Sequence, residues 1–209
     1  MALLPDWASL EDFATLFQYF WHRDFPLGQG SPGARRSDWT IHIGVAVRSV
    51  GDLMGLVTRF EIGGRKDAVL RSSDGDLVAI EWEWEGVRGN ELSKLKGHKV
   101  FSVGKDDAHS LSYAVLIAYS DSEGVERDLE YVRTEWEGAP WPLLLIIIDW
   151  SITKALSSGR DFASLTLYKF YADRGEQLRK VPALPWNLVG SSWHLRMLGQ
   201  ELKPVQRLV

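Results

Sequence analysis

Three acids in one short stretch of the chain could do chemistry together. They are Asp67, Glu81 and Glu83, within FEIGGRKDAVLRSSDGDLVAIEWEWEG from Phe60 to Gly86. Side chains alternate along a strand, so Glu81, Glu83 and Glu85 share one face and Ile80, Trp82 and Trp84 the other. Whether Asp67 meets Glu81 depends on the turn between their strands. A three-residue turn Ser73-Asp74-Gly75, with Gly75 left-handed in a bulge, faces Ser72 to Asp76 and sets Asp67 opposite Glu81. A two-residue turn at Asp74-Gly75 faces Asp67 to Trp82 instead, and the pair is lost. Opposed residues hold their Cβ atoms about 5 Å apart. Two carboxylates that close repel unless a proton or a cation lies between them. A hard divalent ion such as Mg²⁺ (or Mn²⁺) is the natural occupant. Such an ion can orient a phosphodiester, activate water and offset transition-state charge, and a nearby acid or lysine can position the water.

The elements that must position these acids are legible to different degrees. Leu10, Phe13, Phe17 and Phe20 predict a helix over Ser9–Trp21, capped by Ser9 with Asp12 at the third position. Ser37 or Asp38 can cap a second helix to about Thr58, with Ile41, Val45, Val50, Leu53 and Leu56 as its apolar face. The β-branched content leaves a strand open for Thr40–Val47. The Gly-Gly break in FEIGGRKD starts an extended segment. Strands are expected over Asp67–Ser72, Leu77–Trp84, Ser112–Tyr119, Leu143–Trp150 and Ser164–Tyr171. Asn90 caps a short helix to about Lys96, and Glu123–Glu135 reads as a charged helix or a long loop. The expectation is one domain over residues 1–209: a helical N-terminal part at 8–58, a core at 52–172 and a C-terminal extension at 173–209.

An Asp on one strand, followed about 14 residues later by an acid-x-acid pair on the next, resembles the PD-(D/E)xK nuclease superfamily. The order helix, strand, hairpin, strand, helix, strand from Asp52 to Tyr119 is similar to that superfamily's core. The resemblance implies a restriction-endonuclease-like α/β (α+β) fold, with a central mixed sheet flanked by helices. Asp67 matches the first motif acid and Glu81 the second, while Glu83 stands where the family usually has lysine. Some type II restriction enzymes carry a second Glu there, and in other members the lysine sits on the following helix, where Lys94 and Lys96 stand. Glu61, six residues before Asp67, resembles the upstream Glu that several members add to the metal site. The resemblance thus implies catalytic Asp67, Glu81, Glu83, Lys94 and Lys96, and metal ligands Glu61, Asp67 and Glu81.

The rest of the sequence bounds this expectation. The net charge of −4 argues against a coat-like nucleic-acid binder but not against a carboxylate-built nuclease. Arg65, Lys66, Arg71, Lys94, Lys96, Lys99 and Lys105 surround the acids in sequence. Cysteine is absent, which excludes disulfides and thiolate zinc sites and is compatible with the cytoplasm. The apolar run Leu143–Ile148 is far short of the roughly 20 residues that span a bilayer, and no signal peptide is expected. Gly28, Gly30 and Gly33 match G-x-G-x-x-G without the strand that gives the motif meaning. The five histidines lack ligand spacing; His98 could touch phosphate, and Asp149 ends an apolar strand as a pocket residue or a helix cap. Two functions remain open: a Mg²⁺-dependent nuclease acting on DNA or RNA, DNA first, or a catalytically silent domain that binds nucleic acid or protein. A solvated acidic edge strand is the plainer reading of EWEWE. Relatives often dimerise, so a homodimer is a partner to test.

Overall fold

The structure, a computed structural model, describes residues 8–25, 36–62, 66–103, 110–152 and 160–190. Four helices are described: α1 (Leu10–Arg23), α2 (Arg36–Leu53), α3 (Glu91–Lys96) and α4 (Val125–Trp136). Seven strands are described: β1 (Val57–Ile62), β2 (Lys66–Arg71), β3 (Asp76–Glu83), β4 (Tyr113–Asp121), β5 (Leu143–Ile152), β6 (Arg160–Phe170) and β7 (Gly175–Pro182). The strands form one sheet in chain order. The β3–β4 and β4–β5 pairings are parallel, and the others are antiparallel. This is an α/β fold with a central mixed sheet flanked by helices, as the sequence predicts.

Helices cover both faces of the sheet. Phe13, Phe17 and Trp21 of α1 and Ile43, Val47 and Val50 of α2 pack with Ile80, Val115, Ile117 and Ile146 on one face. Leu92 and Leu95 of α3 and Leu129, Val132 and Trp136 of α4 pack with Ala79, Leu116, Leu145 and Ile147 on the other. β4 and β5 are therefore buried on both sides, which is why they read as unbroken apolar runs. Helix α1 begins in the expected capping box: the Asp12 N–H donates to Ser9 Oγ, and the Ser9 N–H to Asp12 Oδ2, both at 3.1 Å. No described helix is long and apolar enough to cross a membrane.

Several expectations change. Helix α2 ends at Leu53 rather than about Thr58, and the extended segment begins earlier than the Gly-Gly break, as the edge strand β1 at Val57–Ile62. The buried face of α2 carries Trp39, His42, Ile43, Ala46, Val47 and Val50, whereas Ile41, Val45 and Leu53 are exposed. The Trp at position 39 and the i, i+4, i+8 series through Val47 set the inward stripe, so the helix is rotated from the predicted orientation. Strand β7 falls in the stretch read as a C-terminal extension, yet it is hydrogen-bonded to β6 as part of the sheet. The stretch at 123–135 forms a helix from Val125 on, α4, rather than a long loop. Asn90 occupies the N-cap of α3 but makes no side-chain capping bond. The glycine motif at 28–33, together with Arg65, Lys105, His109 and His194, lies outside the described residues.

Candidate functional site

Strands β2 and β3 pair with Ala68 opposite Ile80, Val69 opposite Ala79 and Leu70 opposite Val78. One residue further along, the same register sets Asp67 beside Glu81, as the predicted pairing requires. The turn that produces it is different. The Ser72 N–H donates to the Gly75 carbonyl at 2.9 Å, which leaves a two-residue loop, Ser73-Asp74. Arg71 then faces Asp76, a register that would carry Asp67 to Ile80. The ladder shifts between Arg71 and Leu70, and Leu77 is the extra residue of a bulge. Leu77 and Val78 consequently both pack into the α1/α2 cluster. The bulge, not a three-residue turn, aligns the acids. Gly75, at φ 146, adopts a backbone that side chains disfavour.

The alignment extends to β1. Phe60 faces Ala68 and Ile62 faces Lys66, so Glu61 and Asp67 are neighbours between those pairs. Glu61, Asp67 and Glu81 thus occupy one row across three strands. Glu61 is exposed and holds a left-handed backbone, φ 54, that non-glycine residues adopt at a cost of about 1 kcal/mol or more.

Asp67 and Glu81 stand on the sheet face that α3 covers, at the C-terminal end of β3. The Trp82 N–H donates to Asp67 Oδ2 at 2.7 Å, so the carboxylate takes the bond that a continuing strand would take. Glu81 is 1% exposed. Its Oε2 is 3.7 Å from Lys94 Nζ, and its Oε1 has no hydrogen-bond partner. Lys94 also reaches Glu91 Oε1 at 3.3 Å, and Glu91 Oε2 is a second buried carboxylate oxygen without a partner. A cleft of about 250 Å³ joins these groups to the α2 side of the sheet, where Arg36, Thr40, Trp82, Trp84 and Tyr119 line it. Arg36 approaches Glu83 at 3.5 Å and Glu85 at 4.0 Å.

Burial dominates the electrostatics. It pushes the Glu81 carboxyl up to about 8, and the charge of Asp67 adds to the rise against the pull of Lys94 and Lys66. Asp67 is raised for the same first reason, with Glu61 adding to it and the Trp82 N–H opposing. Burial works against the Lys94 charge, but Glu81, Glu91 and Asp67 outweigh it and its pKa is raised. Lys66 is buried, and desolvation lowers its pKa despite Glu81.

The predicted residues separate. Asp67, Glu81, Glu83 and Lys94 line the cleft. Glu83 turns its Oε1 back to the N–H groups of Trp84 (2.7 Å) and Glu85 (3.2 Å) as well as to Arg36. Lys96 is not at the site. Its Nζ donates to the carbonyls of Glu135 (3.0 Å) and Glu137 (2.6 Å), because two helical positions from Lys94 point to a different side. His98 does not face the cleft either: it is buried against Asp76 at 3.2 Å. Asp149 fills the bulge between β5 and β6, accepting from the Ser164 N–H at 3.0 Å and from the Ser164 hydroxyl. Sequence reasoning missed Glu91 and Arg36. Glu91 was findable, three residues before Lys94. Arg36 comes from α2, 47 positions before Glu83, and no local pattern announces it.

Among the described residues, no three His, Asp or Glu side chains gather closely enough to hold a metal ion. The pair Asp67–Glu81 nonetheless suits a hard cation. It offers carboxyl oxygens only, and without a cation Glu81 keeps a proton bonded to Asp67 in place of a second charge. Glu61, expected as a third ligand, lies in the same row on β1 but is not close enough to complete a three-carboxylate set and does not line the cleft. Compared with protein-family models and with curated proteins, the chain gives no match to either.

Proposed function

We propose that the cleft hydrolyses phosphodiester bonds in nucleic acid, DNA in the first instance, with a divalent cation held by Asp67 and Glu81. The observation that carries this reading is the buried, aligned carboxyl pair of Asp67 and Glu81 beside Lys94. A bound Mg²⁺ or Mn²⁺ would supply Lewis-acid polarisation of the phosphate and a more acidic water. Asp67 is held for this by the Trp82 N–H, and Glu81 by burial under α3. Lys94 carries its positive charge beside Glu81 and can donate to a water or a phosphate oxygen. Glu91 keeps that ammonium oriented and charged. Arg36, 60% exposed at the mouth, is free to reach a neighbouring phosphate.

A second reading, a catalytically silent domain that binds nucleic acid or protein, is favoured by Lys94 itself. Its ammonium lies 3.7 Å from Glu81 Oε2 and favours the charged form of that carboxyl without a metal. The two readings separate in one experiment. Plasmid, single-stranded DNA and RNA are incubated with the protein in Mg²⁺ or Mn²⁺, beside Asp67→Ala and Glu81→Ala, and Mn²⁺ binding is titrated calorimetrically. Cleavage by wild type and its loss in both variants is the expected result. Cleavage surviving both substitutions sinks the site assignment, and no cleavage with no Mn²⁺ binding favours the silent domain.

A further inference from the structure

The cleft has a second half that the acid chemistry does not use. It lies at the C-terminal end of β3, and both faces of that strand line it. Asp67, Glu81 and Lys94 reach it from the α3 side, and Trp82, Trp84 and Tyr119 from the α2 side. Trp82 and Trp84 are half-buried, and other rings hold theirs in place. Trp84 lies 4.5 Å from Tyr119, Tyr119 5.7 Å from Phe162, and Phe162 4.6 Å from Trp39 in the core. Trp82 meets Phe60 edge-on at 6.4 Å. Rings fixed in this way lose little side-chain entropy when a ligand contacts them. Arg36 and Thr40, one turn apart on α2, border the same half. The contacts of Arg36 with Glu83 and Glu85, at 3.5 and 4.0 Å on the surface, are weak enough to exchange for a phosphate.

We propose that the α2 side of the cleft is a base-stacking subsite, which takes one unpaired base of single-stranded DNA against Trp84 and Trp82. The choice of occupant rests on the phosphodiester reading of the acid pair, and it names the strand type that the pair would cut. The groups present are those an unpaired base needs: a π-face to stack on, an Arg for the flanking phosphate and a hydroxyl for the base edge. Their placement fits a nucleotide, in which base and phosphodiester are adjacent. Glu81 and Trp82 are consecutive on β3, and the Trp82 N–H holds Asp67, so the first ring stands next to the acid pair. The cleft, about 250 Å³, has room for roughly one nucleotide and none for a duplex. Bases inside a duplex have both faces covered by their neighbours, so only an unpaired base can stack on these rings.

The test is fluorescence anisotropy of short end-labelled oligonucleotides on the full chain in EDTA, which suppresses metal-dependent cleavage. Three ligands are compared: single-stranded DNA, the same sequence as duplex, and a fully abasic strand of equal length that keeps every phosphate. Wild type is expected to bind the single strand roughly tenfold more tightly than either of the others. Trp84→Leu, which keeps an apolar side chain against Tyr119, should bind the single strand roughly tenfold more weakly and no longer distinguish it from the abasic strand. If Trp84→Leu fails to fold by circular dichroism, the three ligands on wild type decide alone. Wild type that binds none of them overturns the proposal. So does an abasic strand or a duplex bound as tightly as the single strand, or a folded Trp84→Leu that keeps the preference. Cleavage is read separately in Mn²⁺. Base-dependent binding without cleavage keeps the subsite and removes the nuclease reading, whereas cleavage without base-dependent binding does the reverse.

Discussion

Glu81 is a carboxyl that the fold keeps protonated near neutrality, and this has a measurable consequence. Its folded pKa, about 8, stands above its ordinary 4.5. The folded state therefore holds a proton that the unfolded state releases, and the stability so gained is full below the ordinary Glu range and is lost as pH rises through about 8. Between pH 6 and 9 wild type is expected to lose on the order of a few kcal/mol that Glu81→Gln retains. Urea denaturation across that range measures it, and equal losses in the two proteins would remove Glu81 as the cause. On the proposed function Mn²⁺ would displace the same proton, so saturating Mn²⁺ should stabilise wild type more at pH 9 than at pH 6. The two lysines of α3 divide just as clearly. On the proposed function, Lys94→Met is expected to abolish cleavage, whereas Lys96→Met should keep it and lower stability by about 1 kcal/mol through the lost bonds to the end of α4. Cleavage lost in Lys96→Met and kept in Lys94→Met would reverse the assignment.

The β2–β3 hairpin is the element that aligns Asp67 with Glu81, and its far end is anchored away from that pair. Asp76, at the start of β3, takes Arg71 Nε at 2.7 Å, His98 Nε2 at 3.2 Å and the Phe101 N–H at 3.1 Å. These partners hold its carboxyl below the ordinary range although burial pushes the other way. The Asp76 N–H donates to the Phe101 carbonyl and the Val103 N–H to that of Asp74, so the segment after α3 clamps the turn. Asp76→Ala would leave Arg71 and a buried His98 without their acceptor, and is expected to cost roughly 3 kcal/mol by chemical denaturation. A change under about 1 kcal/mol would mean that the clamp is held by its backbone bonds alone.

At the scale of the whole molecule, the first helix and the last strand close the same core. Trp21 of α1 donates its indole N–H to the Ala183 carbonyl at 2.8 Å, and His22 meets the Pro182 carbonyl at 2.9 Å. Trp21 also stacks with Trp39 at 5.7 Å, beside His42 and Phe25. Trp21→Ala is expected to destabilise by about 3–5 kcal/mol and to lower the whole transition rather than split it. Thermal unfolding followed by both tryptophan fluorescence and far-ultraviolet dichroism checks this. Two separate midpoints would show that α1 and β7 form a unit apart from the sheet.

What the sequence determined by itself was local. Periodicity and capping chemistry specify α1, the unbroken apolar runs specify β4 and β5, and the alternation of EWEWE puts Glu81 and Glu83 on one face. These depend on neighbours a few residues apart, which is all a sequence displays directly. The meeting of Asp67 with Glu81 was legible as one of two registers, but its cause was not. A bulge at Leu77 is decided by how both sheet faces pack, and either register satisfies the turn residues. Only the tertiary structure rotated α2, buried Glu81, brought Arg36 to the cleft and separated Lys94 from Lys96. Each of those depends on contacts between elements distant in the chain, where burial rather than residue type sets the charge state and the partner.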